Sequence, residues 1–305
     1  METGTIPRAE VPGSFDLQAT LESGQTFLWT RRDGRTYETS VPSGGRAWYR
    51  SVVDGVGVEL RQTSEGLEWR AATDPSEALR DRLGLTEAMA TAIETLPDDG
   101  PTGRAKATFP GLRVVNEPFF PTLVSFILSA QMRVERIHML VQTLSERYGT
   151  PYPVGEDVVY AFPEPTELAS VSEAELREVG LGYRAPYVSA TAEMVAEGSL
   201  SATDIRGRDY EDAREVATGY VGVGEKVADC VLLFSLGYPD PVPLDTWIRS
   251  AIDEHFPHVQ GDDYASTSRA IRAELSPHPG VAQTYVFHYL RHRDAIEASR
   301  RGPTT

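Results

Sequence analysis

The spacing of hydrophobic residues changes partway along the chain. From Phe15 to Trp69 apolar and polar positions alternate over short stretches, at Thr26-Phe-Leu-Trp29, 37–41, 48–52, 57–60 and 67–69. Turn residues at Arg32-Asp-Gly-Arg35 and Pro42-Ser-Gly-Gly45 separate them. The pattern predicts a twisted antiparallel sheet. From Asp74 the spacing becomes helical, with short helices opening at Pro75 and Leu85. The strongest helical stretch runs from Pro118 to Tyr148. Leu123, Phe126 and Ile127 share a face there, a polar break at 129–133 interrupts them, and Ile137, Leu140, Val141 and Leu144 resume. Two helices joined by a tight polar turn are predicted. Short helices with Gly or Pro separators follow over 163–168, 173–177, 187–197 and 210–218, and the arginine-rich last fifteen residues are expected to fray.

At 305 residues and 40% hydrophobic, the chain has core enough for two or three units. Its one cysteine excludes a disulfide framework and a four-cysteine iron–sulfur cluster. No stretch approaches ~18 uninterrupted apolar residues, and the first residues lack the basic-then-apolar pattern of a signal peptide. A soluble cytoplasmic protein with no membrane partner is expected. The formal charge of −16 lowers the expectation of a polyanionic partner, although a local arginine patch can still hold a phosphate backbone. Only two of the 29 basic residues, Lys106 and Lys226, are lysines. Acid excess with so little lysine resembles proteins of salt-saturated cytoplasm, where screening lengths of about 3 Å weaken long-range repulsion of DNA.

Residues 210–236 read as helix, Gly219-Tyr-Val-Gly-Val-Gly224, helix. Gly222 and Gly224 permit close approach, and the amides that open the second helix can hold a phosphate oxygen without a basic side chain. Lys226 falls in the first turn of that helix, with Cys230 one turn on along the same face. The positive end of a helix disfavours an ammonium, so this amine reads either as a nucleophile or as a surface charge at a helix start. Nineteen residues on, a three-proline loop delivers Asp245 to the N-cap of a helix beginning near Thr246. There the carboxylate is expected to be held ionised, as a plain cap or as a partner of Lys226 that takes a proton and stabilises positive charge on a sugar.

At these residues the sequence closely resembles the 8-oxoguanine DNA glycosylases of the helix-hairpin-helix (HhH-GPD) superfamily. Six ordered blocks carry the likeness: Leu21-Glu-Ser-Gly-Gln-Thr-Phe-Leu-Trp29, Ser125-Phe-Ile-Leu-Ser-Ala130, Glu178-Val-Gly-Leu-Gly-Tyr-Arg184, Gly222-Val-Gly-Glu-Lys-Val-Ala-Asp-Cys230, Val242-Pro-Leu-Asp245 and Ala282-Gln-Thr-Tyr-Val-Phe287. The resemblance implies an α+β chain, an N-terminal twisted antiparallel sheet domain followed by a two-lobed helical glycosylase core. The expected units are 1–110, 111–245 with the hairpin, and 246–305 completing the second lobe and base pocket.

By the same resemblance Lys226 attacks sugar C1′, Asp245 assists departure of the base, and the resulting imine supports strand cleavage by β-elimination. Gly24 offers a carbonyl to the N7 hydrogen that 8-oxoguanine has and guanine lacks. Gln283 and Phe287, four apart on a predicted helix, supply an amide for the Watson–Crick edge and a stacking ring, with Cys230 on the opposite base face or simply in the core. Tyr183 is the expected wedge, and Arg184, Arg136 and Gln131 stand where the unpaired opposite base is read. Gln131-Met-Arg133 departs from the three asparagines of the eukaryotic pattern, consistent with tolerance of partners other than cytosine. Val221 stands where the hairpin often carries proline and is expected to pack under the turn. Hairpins of this class can hold Na+ or K+ on backbone carbonyls; no other cofactor is implied, and the expected partner is double-stranded DNA with a damaged base, bound by a monomer. An alkylbase glycosylase of the same superfamily and a non-catalytic hairpin module that binds DNA structure or damage are the alternatives.

Overall fold

The computed structural model describes residues 1–38 and 42–301, with side chains through Ile296. Five strands, β1 Glu2–Pro7, β2 Thr30–Arg31, β3 Tyr49–Val53, β4 Val56–Thr63 and β5 Gly66–Ala71, form one antiparallel sheet in the order β1-β5-β4-β3-β2. Along β3 the residues Tyr49, Ser51 and Val53 are buried and those between them half-exposed, the period-two signature of a sheet with one covered face. The β3–β4 hairpin turns on Asp54-Gly55, both at positive φ, with Val53 paired to Val56. That two-residue geometry matches the sheet's twist.

Two sequence expectations change here, and one strand was not foreseen. Thr26–Trp29 is not a strand, because its polar groups are claimed by the helical layer. The Phe27 carbonyl accepts from Gln142 Nε2 at 2.8 Å and the Trp29 carbonyl from His138 Nε2 at 3.0 Å, while Thr26 Oγ1 and Trp29 Nε1 donate to Glu117. Only Thr30 and Arg31 join the sheet. The strand expected over 37–41 falls partly on 39–41, outside the described residues; Tyr37 lies in a turn at φ 65°. Strand β1, polar in sequence, forms because Gly4 sits opposite Trp69 and leaves room for the indole, which a Cβ would approach to 2.3 Å.

The helices follow in order: α1 Leu17–Leu21, α2 Ser76–Arg82, α3 Glu87–Glu94, α4 Gly100–Thr108, α5 Phe119–Leu128 and α6 Val134–Tyr148. The predicted break between α5 and α6 is present. Lys106, on α4, donates to the carbonyls of Glu94 and Leu96 and to Asp98, tying off the end of α3. A hairpin not foreseen from the sequence, β6 Pro151–Val154 with β7 Asp157–Tyr160, then packs on β3 and β4. Pro151 and Pro153 obscure it, since proline is confined to edge strands.

The remaining chain is helical: α7 Pro165–Ala169, α8 Glu173–Val179, α9 Ala185–Ala196, α10 Ala202–Ile205, α11 Tyr210–Ala217, α12 Glu225–Phe234, α13 Thr246–His255, α14 Tyr264–Glu274 and α15 Pro279–Arg301. The order expected from the sequence, antiparallel sheet then two-lobed helical core, is the observed one. Apolar side chains form two clusters, one under the sheet around Leu17, Trp29 and Leu60, the other through the helices. Of the last fifteen residues, expected to fray, 302–305 lie outside the described residues, and 291–301 are helical as the end of α15. Tyr285, Val286 and Leu290 anchor its first half, packed against α4 and α13, and each large apolar side chain so buried stabilises by roughly 1.5–3 kcal/mol.

Candidate active site

The segment between α11 and α12 is a compact hairpin. Gly219 N donates to Val216 O, and Val223 N to Tyr220 O at 3.1 Å. Gly222 is required twice over: its φ is +80°, and a Cβ there would stand 2.6 Å from the Cβ of Tyr187. Gly224 caps α12, whose first backbone bond runs from Ala228 N to Gly224 O, so the amides of 225–227 precede the ladder and point out of the helix start. Val221 does not pack under the turn; it is 41% exposed, and the buried Val223 takes that place. The reason is the fold of the turn, which directs the 221 carbonyl inward to Thr191 Oγ1 at 2.7 Å.

From the first turn of α12, Lys226 Nζ donates to Ser129 Oγ at 2.9 Å and stands 5.3 Å from the ring centroid of Phe126. The amine is therefore tethered to the α5–α6 turn. One helical turn on, burial pushes the Cys230 thiol up to about 12, opposed by the charge and hydrogen bond of Lys226, so the thiol is neutral. Asp245 caps α13, accepting from Ile248 N at 2.8 Å. The cap does not hold it in the ordinary carboxylate range: burial raises its pKa, and the Ile248 amide, Lys226, the Trp247 amide and Arg249 only partly offset this. Helix capping alone, as read from the sequence, missed that desolvation.

The peptide before Asp245 is held on both sides by residues that sequence reasoning did not single out. Leu244 N donates to Tyr264 Oη at 3.1 Å, and Leu244 O accepts from Arg249 Nε at 3.2 Å. Tyr264 Oη in turn donates to Asp229 Oδ2 at 2.7 Å, and Tyr210 Oη to Asp229 Oδ1 at 2.6 Å. Asp229 is fully buried three residues after Lys226, and burial raises its carboxyl to about 6 against the two tyrosine hydrogen bonds. A charged residue inside the apolar run of α12 was the available signal.

Gly24 and Phe287 meet although they lie at opposite ends of the chain. A Cβ on Gly24, whose φ is +92°, would stand 3.3 Å from Phe287 Cε1 and 3.2 Å from both Val134 Cγ1 and Arg291 Nη1. Gln283 lies one turn before Phe287 on α15, buried, with Nε2 donating to Thr284 Oγ1 at 2.9 Å. Arg291, another turn along, was not foreseen; burial lowers its pKa against the pull of Tyr37, Glu135 and Glu22.

Tyr183 projects from a 3₁₀ turn, 58% exposed, with the Arg184 guanidinium 4.3 Å from its ring centroid. Arg184 is itself buried and donates to the carbonyl of Ala130. Gln131 beside it is exposed and held at φ 52°, a conformation uncommon outside glycine. Arg136 is exposed, with Nη1 3.6 Å from Met139 Sδ and its guanidinium against Gly180. The α5–α6 turn thus receives Lys226 at Ser129 and Arg184 at Ala130. Among the described residues no cluster of His, Cys, Asp or Glu is arranged to hold a metal ion, and no helix is long and apolar enough to cross a membrane.

The chain is 28% identical to the "Probable N-glycosylase/DNA lyase" of Methanothermobacter thermautotrophicus, over 95% of this chain and 98% of that one. It is 32% identical to the N-glycosylase/DNA lyase of Saccharomyces cerevisiae, over 76% of this chain and 66% of that one. The crystal structure of the apo-form of Clostridium acetobutylicum 8-oxoguanine glycosylase/lyase superposes with a TM-score of 0.78 at 25% identity, covering 91% of this chain and 93% of that one. Residues 124–277, which contain the hairpin, Lys226 and Asp245, match the family described as HhH-GPD superfamily base excision DNA repair protein, and the chain belongs to that family.

Proposed function

We propose that this protein excises 8-oxoguanine from duplex DNA and then cleaves the abasic strand. The observation that carries the reading is Lys226, tethered in the first turn of α12 behind the hairpin, with Asp245 close enough for its carboxyl to feel the amine's charge. The Nζ lone pair forms a bond to C1′ as the glycosidic C–N bond breaks and its electron pair leaves with the base. Asp245 in its ionised form stabilises positive charge on the sugar. Loss of the ring oxygen bond leaves an imine on Lys226; removal of a C2′ proton then expels the 3′ phosphate, which is the lyase step. Relatives named as N-glycosylase/DNA lyases, and a structural neighbour named as an 8-oxoguanine glycosylase/lyase, support the same assignment.

The hairpin amides and Gly222 and Gly224 hold backbone phosphate. Tyr183 fills the space of the extruded base, and unstacking that base costs a few kcal/mol that the pocket must return. Gly24, Gln283, Phe287 and Cys230 form that pocket. Gln131, Arg136 and Arg184 face the opposite base. Arg184 already spends one N–H on Ala130, so it serves chiefly to shape the turn that carries Gln131. A Na+ or K+ at the hairpin would rest on carbonyls such as those of Tyr220 and Val221, each of which accepts one hydrogen bond and keeps a second lone pair. Acid excess and two lysines support a salt-rich archaeal cytoplasm.

Borohydride trapping on duplexes with 8-oxoguanine opposite each normal base tests the reading. A covalent adduct in the unmodified chain and none in Lys226→Gln is expected. Release of 8-oxoguanine without any adduct, at low and high salt, would overturn the lysine-linked lyase step while keeping the glycosylase; binding without release would return the chain to the non-catalytic alternative.

A further inference from the structure

Helix α15 carries a third side chain on the side that holds Gln283 and Phe287. Arg291 follows Phe287 at i+4, so successive turns present an amide, a ring and a guanidinium in one line. Two contacts fix its plane against the loop of Gly24. Nη2 donates to Glu22 O at 2.7 Å, and the guanidinium stands 5.4 Å from the ring centroid of Tyr37, whose phenol donates to Leu21 O at 3.2 Å and to Thr26 O at 2.6 Å on either side of Gly24. Nη1 is buried and has no hydrogen-bond partner. A buried cationic N–H left unpaired is costly, and such groups point to a ligand that completes them.

Nη1 lies beside Gly24. It lies 3.2 Å from the point where a Cβ on that glycine would stand, beside the Phe287 ring edge at 3.3 Å from the same point. 8-Oxoguanine differs from guanine at two adjacent atoms: N7 gains a hydrogen, and C8 gains a carbonyl oxygen. A base whose N7–H meets the Gly24 carbonyl brings O8 along the same edge, toward Nη1.

We propose that Arg291 is a specificity-determining residue of the base pocket, its Nη1–H donating to O8 of the extruded 8-oxoguanine while the Gly24 carbonyl accepts N7–H. The inference rests on the 8-oxoguanine reading above. Guanine satisfies neither partner: it turns a lone pair toward a carbonyl and a C–H toward a charged donor. Leaving a buried donor unpaired discriminates far more strongly than losing an apolar contact.

The test measures binding in a Lys226→Gln background to duplexes carrying 8-oxoguanine, 8-thioguanine, guanine or a tetrahydrofuran abasic analogue. 8-Thioguanine keeps N7–H but replaces O8 by sulfur, a weak acceptor. Arg291→Met is expected to weaken 8-oxoguanine binding on the order of ten- to a hundredfold, to bring the 8-oxo and 8-thio affinities together, and to leave the abasic analogue unchanged. Arg291→Lys, which keeps a donor and its charge, is expected to retain part of the 8-oxo over 8-thio preference. An unchanged preference in Arg291→Met overturns the inference, as does an equal loss on the abasic analogue, which would mark a purely structural role through Glu22. If the Lys226→Gln parent itself does not prefer 8-oxoguanine to guanine, the substrate reading fails and the inference with it.

Discussion

Lys226 Nζ donates to Ser129 Oγ at 2.9 Å across 97 residues of sequence, so the amine of α12 is aimed by the turn between α5 and α6. An unrestrained lysine side chain would sample many rotamers; this hydrogen bond, with the Phe126 ring beneath, selects among them. Ser129→Ala removes the tether and leaves the amine. Single-turnover base release should fall about tenfold, equivalent to ~1.4 kcal/mol, with borohydride trapping still going to completion. An unchanged rate would show that the amine needs no orientation from Ser129.

The pKa of the Asp245 carboxyl is raised from its ordinary value, because burial outweighs its capping hydrogen bond. Base release that depends on the carboxylate should therefore decline on acidification at a higher pH than an exposed aspartate would give. Asp245→Asn keeps an oxygen for the Ile248 amide and should fold. It should release base at least 100-fold more slowly, and its rate should lack the acid limb. A pH–rate profile of both proteins under single-turnover conditions decides the matter.

The pKa of Asp229 reaches about 6 in the folded chain, against an ordinary aspartate value of 3.8. The folded state thus binds this proton more tightly than the unfolded state. Its contribution to stability is complete below about pH 3.8 and is lost as pH rises through about 6. Asp229→Asn removes that dependence. The stability difference between the two proteins should shift in favour of the asparagine variant by on the order of 2–3 kcal/mol as pH rises through this window. Denaturant unfolding at intervals across the window reads it directly, and parallel curves for the two proteins would contradict the assignment.

Gly222→Ala places a methyl 2.6 Å from the Cβ of Tyr187 at a φ of +80°. Both effects are unfavourable, and a loss of roughly 2–4 kcal/mol is expected. Because the hairpin amides move with the turn, affinity for undamaged duplex should fall as well. Thermal melting and a salt titration of DNA binding test the two consequences separately.

Much of the fold was legible because its signals are local. The α5–α6 break at 129–133, the hairpin glycines and the cap at Asp245 each follow from residue types at fixed spacing. The Asp54-Gly55 turn between β3 and β4, not singled out from the sequence, is local in the same way. What failed did so where distant groups intervened. Thr26–Trp29 has the composition of a strand, but Gln142, His138 and Glu117 claim its polar atoms. Strand β1 depends on Trp69 finding space over Gly4, which a six-residue window with Ile6 as its one large apolar side chain cannot disclose.

By itself the sequence pointed to the residues proposed to carry the chemistry: a rare lysine behind a glycine turn, a carboxylate after three prolines, and an amide and a ring one helical turn apart. Their types and spacing follow from backbone geometry within a few residues. The tertiary structure alone decided how they are tuned. It set Lys226 on Ser129, raised the carboxyls of Asp245 and Asp229 by desolvation, tied Leu244 to Asp229 through Tyr264, and brought Arg291 against Gly24. Hydrogen-bond partners and burial depend on which segments pack together, and packing joins residues that the chain separates by more than two hundred positions.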